Sequence, residues 1–66
     1  MKLWVNGEER GFDAAKDVQT LIAALGLDAR KVAVERNLEI VPRSTYGATP
    51  LADGDRIEIV HFIGGG

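Results

Sequence analysis

The stretch Ile57-Glu58-Ile59-Val60-His61-Phe62-Ile63-Gly64-Gly65-Gly66 decides the fold of this 66-residue chain, because it joins an apolar run directly to three glycines. Isoleucine, valine and phenylalanine are enriched in β-strands, and we therefore predict a final strand over Arg56–Phe62. Glycine loses more backbone entropy on ordering than any other residue, so three glycines in a row are not expected to continue the strand. We predict that residues 63–66 form a flexible tail.

Two properties of the predicted tail bear on function. Glycine has no Cβ atom, so Gly64, Gly65 and Gly66 would fit a channel that is too narrow for any side chain. The only chemical group at the tip is the α-carboxylate of Gly66, and an extended tail from Phe62 would carry it roughly 17 Å. Terminal glycines are often simply frayed, however, and the tail alone leaves that inert alternative open.

Length and composition exclude several classes of protein. We predict one small domain over residues 1–66. The chain has no cysteine and one histidine, which excludes a disulfide, a thiolate nucleophile and a multi-histidine metal site. A net charge of -2 argues against binding to nucleic acid, and no apolar run approaches the roughly 20 residues of a membrane span. The start of the chain does not resemble a signal peptide, and we therefore expect a soluble cytoplasmic protein.

One amphipathic helix is predicted between residues 17 and 26. Asp17 is its expected N-cap, because a carboxylate accepts hydrogen bonds from the free backbone N–H groups of the first turn. Gly26 follows the last apolar position and is expected to close the helix. The apolar residues have the helical spacing i, i+3, i+4 and i+7, and they are Val18, Leu21, Ile22 and Leu25.

Alternation of apolar and polar residues predicts the other strands. They cover Met1–Val5, Glu8–Phe12, Lys31–Arg36 and Leu38–Val41. The first two flank Asn6-Gly7, which is the strongest short-range signal for a hairpin. Pro42 confines the strand that precedes it to a sheet edge. Residues 43–50 are predicted to form a loop that is anchored by Tyr46 and Leu51.

This order of elements predicts an α+β protein with the β-grasp fold. A hairpin, one helix and further strands would build a mixed sheet of four or five strands, with the first and last strands parallel in its middle. The single helix would cover one face only. We assign to the covered face Leu3, Val5, Val32, Val34, Ile57 and Ile59. The opposite face is predicted to carry Lys2, Trp4, Ala33, Glu35, Glu58, Val60 and Phe62.

Three large apolar groups, Trp4, Val60 and Phe62, fall on the face that the helix does not cover. They would form an apolar patch beside the root of the tail, and such a patch often marks a protein–protein site. We therefore predict that these residues and Ile63 bind a partner. The alternative is that loop residues such as Tyr46 fold over this face and form a second small core.

The remaining polar residues give weaker signals. A lone histidine at a strand end is usually a surface residue, and we expect His61 to be one rather than a general base. Asp53 and Asp55 resemble part of a Ca²⁺ loop, but the other ligands are missing and a turn is expected. Four further charged residues could pair with charges on a partner, but we expect them to be solvated, since exposed ion pairs contribute only about 0–1 kcal/mol. They are Glu35, Arg36, Glu39 and Arg43.

Three stretches of the chain resemble the ThiS family, the ubiquitin-like sulfur carriers of bacterial thiamin biosynthesis. They are Val34-Glu35-Arg36-Asn37-Leu38-Glu39-Ile40-Val41-Pro42-Arg43, Leu51-Ala52-Asp53-Gly54-Asp55 and the strand with its tail over Ile57–Gly66. The small subunit of molybdopterin synthase is the alternative family, because it shares the fold and a Gly-Gly end. The Glu-Arg-Asn…Val-Pro-Arg pattern is more typical of the ThiS family. That family needs two glycines where this chain has three, and we take Gly66 as the reactive one.

The resemblance implies a protein cosubstrate rather than an enzyme, with no catalytic residue and no bound cofactor of its own. An E1-like adenylating enzyme would use ATP and Mg²⁺ to convert the Gly66 carboxylate to an acyl-adenylate. Sulfur from a persulfide donor, usually a cysteine desulfurase, would replace AMP and give a thiocarboxylate. Thiazole synthase would receive that sulfur, and Gly64 and Gly65 would give the tail access to the active sites. The alternatives are the molybdopterin pathway and an interaction module whose tail is inert.

Overall fold

A computed structural model of the protein describes residues 1–62. Among these residues, one α-helix packs against one five-stranded sheet. The helix, α1, spans Val18–Ala24. The strands are β1 (Lys2–Val5), β2 (Glu8–Gly11), β3 (Val32–Arg36), β4 (Glu39–Val41) and β5 (Arg56–His61). The predictions for Ile63 and for the glycines at 64–66 lie outside the described residues.

The strands lie in the order β2-β1-β5-β3-β4. In the middle of the sheet β1 and β5 are parallel neighbours, with Trp4 opposite Arg56 and Val5 opposite Ile57. The pairs β1–β2, β3–β4 and β3–β5 are antiparallel. The predicted β-grasp sheet, with its first and last strands side by side, is therefore confirmed.

Two tight turns join the antiparallel strand pairs that are consecutive in sequence. Asn6 and Gly7 have φ values of 50° and 83°, so the first hairpin turns as the Asn-Gly pair predicts. Asn37 and Leu38 have φ values of 51° and 71° and connect β3 to β4. A positive φ brings the Cβ atom close to the backbone, and it is uncommon for leucine. Leu38 is therefore the unusual member of these turns.

Both ends of α1 are closed by the predicted residues. Asp17 accepts a hydrogen bond from the Thr20 N–H at 2.7 Å, and the Thr20 hydroxyl accepts one from the Asp17 N–H at 3.0 Å, which completes a capping box. Gly26 has a φ of 73°, and its N–H and that of the next residue donate to the carbonyls of Ala23 and Ile22. This pair of bonds is a Schellman motif, which satisfies carbonyls that the helix leaves free.

The core lies between α1 and one face of the sheet. Val32 and Ile57 have no exposed surface, and Ile59 packs against the same core, so the assignment of the covered face is confirmed. Tyr46 and Leu51 are buried here too, as the predicted anchors of the segment after β4. The Tyr46 hydroxyl donates to the Val32 carbonyl at 3.1 Å, so its burial leaves the hydroxyl satisfied.

The structure also contains two short 3₁₀ helices that the sequence analysis does not predict. They span Ala29–Lys31 and Arg43–Ala48, and the second occupies most of the predicted loop. It starts after Pro42, whose carbonyl accepts bonds from the N–H and the hydroxyl of Thr45 at 2.9 and 2.8 Å. A segment this short has no repeat of apolar residues that periodicity could detect. No helix in residues 1–62, of either kind, is long and apolar enough to cross a membrane.

Candidate functional site

The candidate site is built on β5, because this strand leads directly to Ile63 and the three glycines. Its residues alternate between the two faces of the sheet: Ile57 is fully buried, whereas Val60 is 61% exposed. Phe62, just beyond the strand, is 44% exposed. We call the sheet face turned away from α1 the open face. It carries Lys2, Trp4, Glu9, Ala33, Glu35, Ile40, Arg56, Glu58, Val60 and Phe62.

Hydrogen bonds hold the end of β5 and the adjoining Phe62 on both sides. On one side, the Phe62 N–H donates to the Lys31 carbonyl at 2.8 Å. On the other side β1 ends at Val5, and the carboxamide of Asn6 accepts from the Ile59 N–H at 2.7 Å and donates to the Ile59 carbonyl at 3.2 Å. From the sequence, Asn6 is predicted only to form a turn, because no local pattern indicates that its side chain reaches β5.

The predicted partner-binding residues lie at two positions on the open face. Val60 and Phe62 are close together at the end of β5. Trp4 is half-buried opposite Arg56, whose guanidinium carbon is 5.6 Å from the centre of the indole ring. Arg56 and Val60 are four residues apart on one strand. Trp4 therefore lies roughly 13 Å along the sheet from Val60, and the two positions form separate groups.

Tyr46 does not cover the open face. It belongs to the core under α1, where its hydroxyl bonds to the Val32 carbonyl. The alternative in which Tyr46 folds over the open face is therefore wrong. Ala33, directly opposite Val60, is also exposed, so this end of the open face is accessible to another protein.

Two exposed apolar residues of the β3–β4 hairpin were missed by the sequence analysis. Leu38 is 87% exposed and Ile40 is 79% exposed. Ile40 lies directly opposite Glu35, which places it on the open face. The alternation along β4 was a usable signal. Val41 is buried and pairs with buried Val34, so the preceding residue, Ile40, must face the other way.

A buried carboxylate holds the turn that carries Leu38. Asp55 is 8% exposed and accepts bonds from the Ala52 N–H at 2.8 Å, from the Asn37 amide at 3.0 Å and from the Arg36 Nε at 2.8 Å. Burial raises the pKa of Asp55, but these bonds outweigh that effect and hold the pKa below its ordinary value of 3.8. The ionised carboxylate therefore ties the β3–β4 turn to the start of β5.

His61 lines a shallow pocket of about 280 Å³ near the end of α1. The pocket is also lined by Val5, Asn6, Arg10, Leu25, Leu27 and Ile59. No carboxylate is among these residues, so the pocket lacks the acidic partner that usually accompanies a catalytic histidine. His61 is exposed, as expected of a surface residue.

Comparisons with known proteins identify relatives of this architecture. The family model described as the ThiS family matches residues 3–66. Over 66 residues the chain is 62% identical to a thiazole synthase from Paramagnetospirillum magneticum, but it spans only 20% of the length of that relative. Over 49 residues it is 49% identical to the sulfur carrier protein ThiS of Bacillus subtilis, and the match covers 74% of each chain.

A solved structure extends the similarity to three dimensions. The crystal structure of the thiamine biosynthesis protein ThiS from Geobacter metallireducens matches with a TM-score of 0.83 and 40% sequence identity. The match covers 100% of both chains, so it includes the hairpin, the helix and β5. Family match, sequence identity and shared fold agree over nearly the full length, and the chain belongs to the ThiS family.

Proposed function

We propose that this chain is a sulfur carrier protein of thiamin biosynthesis and holds sulfur as a thiocarboxylate on Gly66. The observation that carries the proposal is a strand that is hydrogen-bonded on both sides, at Ile59 and Phe62, and leads in sequence to three glycines. Membership of the ThiS family supports it, because a relative in that family is named a sulfur carrier protein. The proposal requires Gly66 to be the C-terminal residue of the functional protein.

The proposed chemistry begins with activation of the Gly66 carboxylate, which is resonance-stabilised and resists nucleophiles. An E1-like adenylating enzyme, using ATP and Mg²⁺, would join a carboxylate oxygen to the α-phosphorus of ATP and release pyrophosphate. A persulfide donor such as a cysteine desulfurase would attack the acyl carbon with its outer sulfur, and AMP would leave. A thiol would then cleave the S–S bond, which leaves the thiocarboxylate on Gly66 and a disulfide on the donor side.

We propose thiazole synthase as the protein that receives the sulfur. The thiazole synthase of Paramagnetospirillum magneticum supports this choice, because this chain matches 20% of its length at 62% identity. A carrier sequence within an acceptor enzyme is expected when the two act in consecutive steps. Because the activation step consumes ATP, we propose that the protein works in the cytoplasm.

In this proposal the protein contributes binding and one acyl group, and its partners contribute the catalytic residues. Val60 and Phe62, with Ile63, would contact a partner at the entrance to its active site, and Trp4 would contact it further along the sheet. Gly64 and Gly65 would pass through the entrance, since a backbone without Cβ atoms needs the narrowest channel. The exposure of Val60 and Phe62 beside the root of the tail supports this division of roles.

Intact-protein mass spectrometry tests the proposal. The chain is incubated with its adenylating enzyme, ATP, Mg²⁺ and a persulfide donor, and a variant without Gly65 and Gly66 serves as the control. We expect the full chain to gain the mass that corresponds to exchange of one oxygen for sulfur, and the truncated chain to gain nothing. A full chain that stays unmodified with active partners, or a truncated chain that gains the mass, contradicts the proposal.

A second step separates the candidate pathways. The thiocarboxylate form is mixed either with thiazole synthase and its substrates or with the large subunit of molybdopterin synthase. Loss of the added mass with thiazole synthase alone is the expected result. Loss with the molybdopterin enzyme alone would assign the carrier to that pathway instead.

A further inference from the structure

Two glutamates face each other across the open face. Glu35 on β3 lies directly opposite Glu58 on β5, and Ile40 on β4 lies directly opposite Glu35. Side chains that are opposite on antiparallel strands point to the same face, with Cβ atoms roughly 5 Å apart. Ile40, Glu35 and Glu58 therefore form one row across three adjacent strands.

Within residues 1–62, neither of these glutamates has an ion-pair partner. The ion pairs in this part of the chain join Lys2 to Glu9, Arg30 to Asp28, and Arg36 to Asp55. Arg56, the neighbouring cation on β5, lies against Trp4. Like charges that are directly opposite destabilise a sheet, so a contribution to folding stability cannot explain why two glutamates occupy these positions. Local features that oppose stability are expected at functional positions.

Exposed apolar side chains flank the two carboxylates. Ile40 lies beside Glu35 and is 79% exposed, and Val60 follows Glu58 on the same face and is 61% exposed. Leu38, in the adjoining turn, is 87% exposed and has a φ of 71°. Unpaired charge between exposed apolar groups therefore indicates a surface for another molecule.

We infer that the open face binds a protein partner that presents an arginine among apolar side chains, with its guanidinium between Glu35 and Glu58. Apolar contacts on Ile40 and Val60 would exclude water, and ionic contacts strengthen where the local dielectric falls. Arginine fits better than lysine, because its planar guanidinium reaches two carboxylates from one rigid fork and is more weakly hydrated. The inference rests on the proposed function in one respect: that function supplies the two partner proteins used in the test.

A second copy of this chain is a poorer occupant of the open face. In a symmetric dimer, the second copy would place its own Glu35 and Glu58 close to Glu35 and Glu58 of the first copy. The net charge of -2 on each chain adds to that repulsion. The arginine on the open face, Arg56, is already in contact with Trp4. We therefore assign the surface to a different protein of complementary charge.

The test measures binding of the full chain to the adenylating enzyme without ATP, and to thiazole synthase, by titration calorimetry. The test variant is Glu35→Gln/Glu58→Gln. The matched control, Glu8→Gln/Glu39→Gln, removes the same charge from exposed residues of β2 and β4 whose strand partners, Val5 and Arg36, are not on the open face.

For at least one of the two proteins, we expect the test variant to bind about tenfold or more weakly than the wild type, with a reduced dependence on salt. The control variant should bind like the wild type. Urea denaturation should show the test variant to be as stable as the wild type or more so, because a like-charge pair has been removed.

Three results would overturn the inference. The first is wild-type binding of the test variant to both proteins, and the second is weaker binding accompanied by lower stability. The third is self-association of the wild type that the test variant lacks, which would assign the cation to a second copy.

Failure of this inference can be told apart from failure of the proposed function. If the thiocarboxylate forms on the wild type and the test variant binds normally, only the inference fails. If no thiocarboxylate forms but the test variant still loses binding, only the proposed function fails.

Discussion

The carboxamide of Asn6 and the backbone of Ile59 form two hydrogen bonds, although 53 positions separate these residues in the sequence. The backbone N–H of Asn6 also donates to the Ile57 carbonyl at 2.9 Å. Since β1 ends at Val5, the side chain of Asn6 extends the support of β5 beyond the last β1 residue. The hairpin tip therefore helps to hold the strand that leads to the predicted tail.

Replacement of Asn6 by glycine tests this role of the hairpin tip. Asn6→Gly keeps a residue that tolerates a positive φ, but it removes both side-chain bonds to Ile59. We expect the free energy of unfolding to fall by about 1–2 kcal/mol. Hydrogen exchange should be faster at the Ile59 amide, while the Leu21 amide in α1 serves as the internal reference. Unchanged protection of Ile59 in the variant would contradict the role.

The bonds to Asp55 predict a dependence of stability on pH. The folded pKa of Asp55 lies below 3.8, so the stabilisation by its charged form is complete above about pH 5 and is lost as the pH falls through the folded pKa. At pH 7, Asp55→Asn should lower the free energy of unfolding by about 1–3 kcal/mol. The difference between wild type and variant should shrink towards acid pH.

Urea denaturation of both proteins over a series of pH values measures this difference. The wild-type curve alone is not sufficient, because bonds from Arg30 lower the pKa of Asp28 to about 2, and both carboxylates titrate in acid. Asp28 is present in both proteins, so subtraction isolates the effect of Asp55. A difference that does not vary with pH would show that the charge of Asp55 contributes nothing.

The open face and the covered face should respond differently to a new charge. Phe62→Asp changes a side chain that is 44% exposed, and we expect a loss of no more than about 1 kcal/mol of stability together with weaker binding to the adenylating enzyme. Ile57→Asp places a charge where the wild-type side chain is fully buried, and the domain should unfold. Circular dichroism and calorimetry give the two readouts. Equal unfolding of both variants would remove Phe62 from the binding surface.

Leu38 offers a case in which stability and binding change in opposite directions. Glycine adopts a positive φ without the steric penalty of a Cβ atom, so Leu38→Gly should raise the free energy of unfolding by about 1 kcal/mol. The same change removes an apolar side chain that is 87% exposed and should weaken partner binding. Asn37→Gly, the matched control in the same turn, loses its bond to Asp55 and should destabilise the protein. Lower stability of Leu38→Gly would show that its backbone is not strained.

The predicted tail is tested by Gly65→Val. Valine adds a branched side chain and removes backbone conformations that only glycine reaches easily. We expect thiocarboxylate formation to slow about tenfold or more, because small displacements of a reacting group reduce rates strongly. The rate is followed by intact mass, and urea denaturation checks that the domain is as stable as the wild type. A wild-type rate would show that the tail does not enter a confined site.

Local signals in the sequence were sufficient to predict most of the fold. Asn6-Gly7 located the first hairpin, and Asp17 and Gly26 located the ends of α1, because each of these residues has a specific backbone role. The alternation along β5 correctly separated Ile57 from Val60. The 3₁₀ helix over Arg43–Ala48 was missed, because it is held by contacts with the core and has no periodicity of its own.

The candidate site was harder to predict, because its geometry depends on which strand residues pair. The sequence identifies Trp4 and Val60 as apolar residues of one face, but only the pairing of Trp4 with Arg56 shows that they lie apart. Likewise, Glu35 and Glu58 are 23 positions apart in number, and nothing local indicates that they face each other. The sequence showed which residue types the site contains. Which residues of neighbouring strands lie opposite each other could be seen only in the folded sheet.

The central pairing of β1 with β5 also determines when the domain can fold during synthesis. Trp4 is made near the start of translation, and its partner Arg56 is made only after the hairpin, the helix and β3. A nascent chain that ends before β5 has a sheet without its middle strand, so α1 has no continuous surface on which to pack. The contacts that complete the core are distant in sequence and therefore slow to form. An incompletely synthesised chain thus lacks both a stable core and the strand that leads in sequence to Gly66. Under the proposed function, partner enzymes would therefore meet the predicted tail only on a finished domain.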